Sequence, residues 1–176
     1  MKLRLLFGLA LATGTFGTTA CDEDVTMPVD PVEELRQEVR AATQPFQDLA
    51  AATEAGFAAV SPCVAAAEGG MGFHYLLEPR LDATVEGTEP ELLLYAPEAD
   101  GSMKLVAVEY MVMAPMWDAE QTGPPTLLGQ TFADHRAEEA RHGLPFPHYD
   151  LHFWAWEENP NGIWAPLNPA VGCDAG

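Results

Sequence analysis

One segment near the C-terminus contains the residue types best suited to bind a metal ion. If it is a β-strand, its side chains alternate between two faces, and one face carries His148, Asp150, His152, Trp154 and Trp156. Residues two apart on a strand are separated by about 6.7 Å, which lets Asp150 share one ion with either histidine. The two histidines are about 13 Å apart and could share an ion only if the strand bends. We therefore expect Asp150 and one histidine to form a pair.

A mononuclear site needs further ligands from neighbouring strands, and two other segments offer them. His74 lies in the run Gly70–Tyr75, and Glu109 interrupts the otherwise apolar run Leu105–Tyr110. Burying an unpaired carboxylate is costly, so Glu109 faces water, pairs with a basic side chain or binds a ligand.

These residues predict a site for a metal ion or small ligand formed by His74, Glu109, Asp150 and His152, with His148 as a further candidate ligand. Imidazole and carboxylate ligands suit Zn, Fe, Mn or Cu, and an open coordination position would permit catalysis. Two other interpretations stay open. The cluster is purely structural in a non-catalytic module that contacts an envelope protein, or Glu109 or His152 is the general base of an enzyme.

A second group of chemically competent side chains lies in the predicted helix Phe132–His142. In that helix His135 and Glu139 are four residues apart, as are Glu138 and His142, so each pair shares a face and a helical metal site can be drawn. The alternative is a solvated helix surface.

Several function classes lack support in this sequence. There is no Gly-x-Ser-x-Gly nucleophile elbow and no glycine-rich phosphate loop, which argues against hydrolase, kinase and dinucleotide-binding classes. The chain has 27 acidic residues against 8 Lys and Arg and a net charge of −19 at pH 7. This charge argues against nucleic acid and anionic lipid surfaces as partners. A small ligand or an envelope protein remains as a partner.

The first 30 residues are typical of an exported protein. Lys2 and Arg4 precede an apolar stretch and then small residues, which predicts a signal peptide over residues 1–20. Cys21 follows directly and is the predicted lipidation site, with residues 21–30 as an acidic tether. We expect an extracytoplasmic lipoprotein that contacts the membrane only through its lipid anchor. Cleavage after Ala20 without lipid, giving a secreted soluble protein, is the alternative.

The elements that must position the site begin with a helix. Asp30 is a predicted N-cap followed by Pro31, and apolar residues then recur every three or four positions. The predicted stripe comprises Val32, Leu35, Val39, Ala42, Phe46, Leu49 and Thr53. Pro45 should kink or divide this helix, and Gly56 should end it.

Strands dominate the remainder of the predicted domain, residues 31–176. The predicted strands are Met71–Leu77, Glu91–Tyr95, Met103–Met113 and His148–Trp156, with one more short strand around Ile163 and Trp164. Short turns such as Asp100-Gly101 favour antiparallel pairing. The sequence therefore predicts an α+β fold, with the helix packed on a mostly antiparallel sheet that is either open and curved or barrel-like. Residues 114–147 form a long predicted loop that could cover the site.

The two cysteines inside the predicted domain form a natural pair. Cys63 and Cys173 in an oxidising compartment predict a disulfide, and unpaired thiols are the alternative. Such a bond closes a loop of about 100 residues, for which chain-entropy models give about 4–5 kcal/mol of stabilisation.

Four motifs together resemble those of a group of exported bacterial proteins without an assigned activity. The motifs are Gly70–Tyr75, Leu105–Tyr110, His148–Trp154 and the stretch from Asn159-Pro160-Asn161-Gly162 through Asn168-Pro169 to Cys173. The resemblance covers residues 35 to 173. It draws attention to the histidine, glutamate and aspartate positions without implying a role for them.

Overall fold

The computed structural model describes residues 29–137 and 144–174. Within them the protein combines short helices with a mostly antiparallel sheet, in the mixed arrangement that the sequence predicts. The predicted signal peptide, Cys21 and most of the predicted tether lie outside the described residues, as do Glu138, Glu139 and His142. No helix in the described part of the chain is long and apolar enough to cross a membrane.

The N-terminal helical region is divided at the predicted proline. Helix α1 spans Pro31–Thr43, a 3₁₀ turn spans Gln44–Gln47, and α2 spans Leu49–Glu54. The Asp30 side chain accepts a hydrogen bond from Val32 N at 2.9 Å, which satisfies a free donor at the first turn. Pro45 has no N–H to donate to the α-helical hydrogen-bond ladder. The chain therefore forms a 3₁₀ turn there before the α-helix resumes as α2.

The buried stripe of these helices departs from the predicted one at two positions. Leu35 and Val39 are buried as expected, but Thr43 and Ala52 are buried in place of Ala42 and Thr53. Thr43 tolerates burial because its hydroxyl donates to Val39 O at 2.7 Å. The 3₁₀ turn changes the helical phase, which moves the buried side of α2 by one residue.

Of the nine strands in the described residues, seven form one open sheet. The strands are β1 (Ala58–Ala59), β2 (Val64–Ala66), β3 (Gly69–Leu76), β4 (Leu92–Pro97), β5 (Met103–Met113), β6 (Thr126–Leu127), β7 (Gln130–Thr131), β8 (Ala133–His135) and β9 (His148–Phe153). The sheet has the order β1-β3-β4-β5-β9-β8, with β2 also paired to β3, while β6 and β7 form a separate hairpin. All pairs are antiparallel. The sheet is not closed, so the barrel alternative is wrong.

The two faces of the sheet have different partners. On one face, Val108, Tyr110 and Phe153 pack with Leu35 and Val39 of α1 in the larger core. On the other face a smaller apolar core contains Leu92, Leu94, Ala107, Met111 and Trp154. The predicted site residues lie on this second face, away from the helices.

The predicted loop 114–147 contains more regular structure than expected. It holds α3 (Ala114–Glu120), the β6–β7 hairpin and β8. The predicted helix Phe132–His142 is wrong within the described residues. Ala133–His135 is instead an edge strand of the sheet, paired with β9. Pairing with β9 satisfies backbone groups on both strands, and Phe132 is buried in the larger core, which together fix an extended chain.

The C-terminal segment covers the site face without forming the strand predicted around Ile163 and Trp164. Strand β9 ends at Phe153, and Trp154 N instead donates to Ile163 O at 2.9 Å. The chain then turns, so Trp156 contacts the larger core and does not continue the face of His152 as predicted. Cys63 and Cys173 form the predicted disulfide, with Cα atoms 5.7 Å apart.

Candidate metal centre

Two groups of three side chains on the second face of the sheet have the geometry of metal-binding clusters. The inner cluster consists of His74, Glu109 and His152, and the outer cluster consists of His135, His148 and Asp150. In each cluster the three candidate ligand atoms lie within 4.8 Å of one another. Such convergence of imidazole and carboxylate groups is sufficient for three ligands to share one ion.

Strand register brings the inner cluster together. Glu109 on β5 is directly opposite His152 on β9. His74 lies on β3, with β4 between it and β5, so its side chain reaches toward Glu109 across β4. His74 Nε2 is 3.5 Å from Glu109 Oε2, and the rings of His74 and His152 are perpendicular, with centroids 6.1 Å apart.

A serine hydroxyl sets the orientation of His74. Ser61 Oγ is 2.9 Å from His74 Nδ1 and also accepts the His74 backbone N–H at 3.3 Å. This contact directs Nε2 toward Glu109. Histidines that bind metals commonly use one ring nitrogen for such a contact and the other for the ion.

Glu109 is the side chain that the metal-free cluster accommodates least well. Its side chain is 3% exposed, and its Oε2 has no hydrogen-bond partner among the described residues. Burial raises the pKa of Glu109 well above its usual value. The charge of Asp150, a hydrogen bond that only protonated Glu109 can donate to Asp150, and the charge of Glu91 raise this pKa further. A cation beside Oε2 would favour the carboxylate form.

The outer cluster is organised around Asp150. Asp150 Oδ2 lies 3.2 Å from His135 Nε2 and 3.6 Å from His148 Nε2. Burial opposes ionisation of Asp150, but hydrogen bonds from His135 and His148 and the nearby charge of His152 outweigh it and lower its pKa. The two imidazole rings are stacked, with centroids 5.2 Å apart, because His135 and His148 are directly paired between β8 and β9.

A backbone carbonyl sets the orientation of His148. Its Nδ1 is 3.0 Å from Phe146 O. A carbonyl oxygen can only accept, so Nδ1 carries the proton and donates it. The other ring nitrogen, Nε2, is the atom that faces Asp150.

Both clusters border one cavity of about 310 Å³. The remaining walls are mostly apolar and comprise Val64, Met71, Ala133, Leu144, Pro166 and Leu167, with Ser61. Two of these lining residues, Ala133 on the edge strand β8 and Pro166, are exposed. A pocket with apolar walls and a few converging polar groups is the usual form of a site for a small molecule.

The structure divides the predicted site residues between the two clusters. His74, Glu109 and His152 are together, whereas Asp150 belongs with His148 in the neighbouring cluster. Sequence reasoning did not include His135 in this site because it placed that residue on a helix. The only signal for its position was the short alternation of Ala133 and His135, and three residues are too few to identify a strand.

Comparison with known proteins adds no relative. No protein-family model matches the chain, and neither a curated protein nor a solved structure matches it. The resemblance to exported bacterial proteins therefore stays a prediction, and the functional argument rests on the residues themselves.

Proposed function

We propose that this protein is an extracytoplasmic metal-binding protein in which His74, Glu109 and His152 hold a divalent transition-metal ion. The observation that carries this proposal is the convergence of three ligand atoms from buried residues within 4.8 Å, in the wall of a cavity. Two imidazoles and one carboxylate form a donor set that Zn and Fe(II) use, with coordination positions left open. Mn and Cu are the other ions compatible with these ligands.

The burial of the inner cluster supports a bound ion. Glu109 Oε2 lacks a hydrogen-bond partner among the described residues, and an unsatisfied buried carboxylate is expensive. In the metal-bound form, His74 Nδ1–H donates to Ser61 and Nε2 binds the ion. The open positions of the ion face the apolar cavity, so a small molecule could complete the coordination. That molecule is the ligand class we propose for the cavity.

Two features support a location outside the cytoplasm. Residues 1–20 have the charge and apolar order of a signal peptide, and Cys63 and Cys173 form a disulfide of the kind that persists in oxidising compartments. The small residues before Cys21 are the basis for the proposed lipid anchor. Mass spectrometry of the protein recovered from an exporting host would detect a lipid on Cys21 or a free N-terminal Cys21.

Elemental analysis tests the metal proposal. The full chain is produced in an exporting host without a histidine tag, and metal content is measured for wild type and for His74→Ala, Glu109→Gln and His152→Ala. Each substitution should weaken metal binding by more than the roughly 10–100-fold that loss of a ligand's supporting contact costs. Glu157→Gln is the control, because Glu157 pairs with Lys104 away from the cavity. Absence of metal from wild type, even after incubation with Zn²⁺, Fe²⁺, Mn²⁺ or Cu²⁺, would contradict the proposal.

The alternative is a non-catalytic envelope module in which the clusters only support the sheet. The His135–Asp150 contact at 3.2 Å favours it, because such an ion pair can stabilise a strand edge without a metal. In that case the same variants would lower stability while wild type bound no ion. A partner protein that is lost when β6 and β7 are replaced by a short turn would support this alternative.

A further inference from the structure

We propose that the outer cluster, His135, His148 and Asp150, binds a second metal ion beside the first, so that the cavity holds a two-ion centre. This inference rests on the proposed function of the inner cluster. It adds a second metal site, a stoichiometry of two ions per chain and an order in which the two ions bind. The outer cluster carries it by geometry, because its three ligand atoms lie within 4.8 Å of one another, as in the inner cluster.

Strand register places the two clusters side by side. Asp150 and His152 are two residues apart on β9 and face the same side. Glu109 on β5 is directly opposite His152 and diagonally opposite Asp150 on the same face. The two carboxyl groups, one from each cluster, therefore lie on adjacent strands. In two-ion sites the ions are about 3.5–4 Å apart, a spacing that a shared carboxylate can span.

One histidine of each cluster is supported in the same way. Phe146 O holds His148 through Nδ1, as Ser61 holds His74, and in both residues Nε2 is the atom directed into the cavity. His135 also directs Nε2 toward Asp150. A backbone carbonyl or hydroxyl on the remote nitrogen is the usual support of a metal-bound histidine. The outer cluster thus has the supporting contact as well as the ligands.

Charge favours the uptake of cations by this centre. Each cluster contributes one carboxylate and two imidazoles, and none of the described residues that line the cavity is a lysine or an arginine. The whole chain carries a net charge of −19 at pH 7, which raises the local concentration of cations. Two divalent ions would be balanced in part by Glu109 and Asp150.

The two positions differ in depth, which predicts an order of loading. His135 is on the edge strand β8 and is only partly buried, whereas all three residues of the inner cluster are buried. The outer ion should therefore bind more weakly, and a chelator should remove it first. Zinc should bind in two separable steps.

A zinc titration of the full chain tests this inference. The untagged protein is stripped with a chelator, dialysed against Zn²⁺ and analysed for zinc per chain. We expect two zinc ions in wild type and one in His135→Ala. Asp134→Asn is the matched control, because Asp134 neighbours His135 on β8 but pairs with Arg136 at the surface. This control should retain two ions.

The outcomes separate this inference from the proposed function. One ion in wild type, with no change in His135→Ala, overturns the second site and leaves the first intact. Two ions in both proteins place the second ion elsewhere and also overturn the inference. No bound ion overturns both proposals.

Wild-type protein loaded with Mn²⁺ gives a test that does not depend on folding of the variant. Two neighbouring Mn²⁺ ions should give a spin-coupled electron paramagnetic resonance spectrum at two equivalents. Two independent six-line signals at that ratio would overturn the two-ion centre.

Discussion

The two faces of strand β9 bury different kinds of side chain. One face packs against the helix-covered core through Tyr149, Leu151 and Phe153. The other face carries His148, Asp150 and His152, all buried beside the cavity. The same six residues of backbone therefore serve apolar packing on one side and a polar cluster on the other.

The difference between the faces separates stability from binding. Apolar side chains contribute to folding whether or not a ligand is present, at about 25 cal/mol per Å² of apolar surface buried. Buried imidazole and carboxylate groups lose hydration and need partners to offset that loss. We therefore expect substitutions on the helix-covered face to change unfolding, and those on the cavity face to change ion binding.

The largest expected effect is on the helix-covered face. Phe153 is fully buried and contacts Trp164, with ring centroids 4.5 Å apart. Phe153→Ala should lower the free energy of unfolding by about 3–5 kcal/mol, because it removes packing and leaves a cavity. Urea denaturation in the presence of a chelator measures this loss.

Zinc binding by the folded fraction of Phe153→Ala should stay close to wild type, even though Phe153 is adjacent to His152. Phe153→Leu is the matched control, since it keeps most of the apolar volume and should lose less stability. If folded Phe153→Ala bound no zinc, the two faces would not be separable.

A buried carboxyl outside both clusters gives the next effect. Glu91 accepts a hydrogen bond from Met111 N at 2.8 Å, and burial raises its pKa to about 7. This folded-state pKa lies above the unfolded value of 4.5. The stabilisation that protonated Glu91 contributes to the folded protein is therefore complete below pH 4.5 and is lost as pH rises through about 7. The loss amounts to about 3 kcal/mol at higher pH.

Glu91→Gln should remove this dependence, because the amide oxygen can still accept from Met111 N and does not ionise. The variant should match wild type near pH 4 and be more stable at pH 8, as measured by urea denaturation of metal-free protein. Glu109 titrates in both proteins, and because the charge of Glu91 raises the Glu109 pKa, part of the stability gained at pH 8 comes from removing that repulsion. Equal slopes of stability against pH would show that Glu91 does not titrate in this range.

The smallest expected effect concerns the support of one histidine. Ser61→Ala removes the hydroxyl that is 2.9 Å from His74 Nδ1 while leaving all six cluster side chains in place. Zinc affinity should fall about 10–100-fold, with little change in stability. Ser102→Ala, in the exposed turn between β4 and β5, is the control for a lost hydroxyl. An unchanged affinity in Ser61→Ala would mean that His74 does not bind the ion through Nε2.

Local sequence patterns were sufficient to predict the elements whose ends are marked by proline, a capping residue or a turn. Strand β5 spans Met103–Met113 as predicted, because a continuous apolar run ends at Pro115 and a hairpin signal precedes it. The capping residue Asp30 and the division at Pro45 were also confirmed. Glu109 attracted attention for the same local reason, as a carboxylate within an apolar strand.

The parts that could not be predicted depend on contacts between distant residues. The spacing of His135 and Glu139 fits one face of a helix, yet Ala133–His135 is extended because it pairs with β9. No feature within those three residues encodes that partner. The division of Asp150 from His152 followed from the same pairing, since His135 is what Asp150 contacts.

The disulfide has a topological consequence for the cavity. All six cluster side chains come from positions between Cys63 and Cys173, so they belong to one covalent ring. A single proteolytic cut anywhere in that ring would leave both fragments tethered, with every candidate ligand still on one molecule. If the cut lay between His74 and His152, reduction would remove the covalent link between the fragments that carry the ligands.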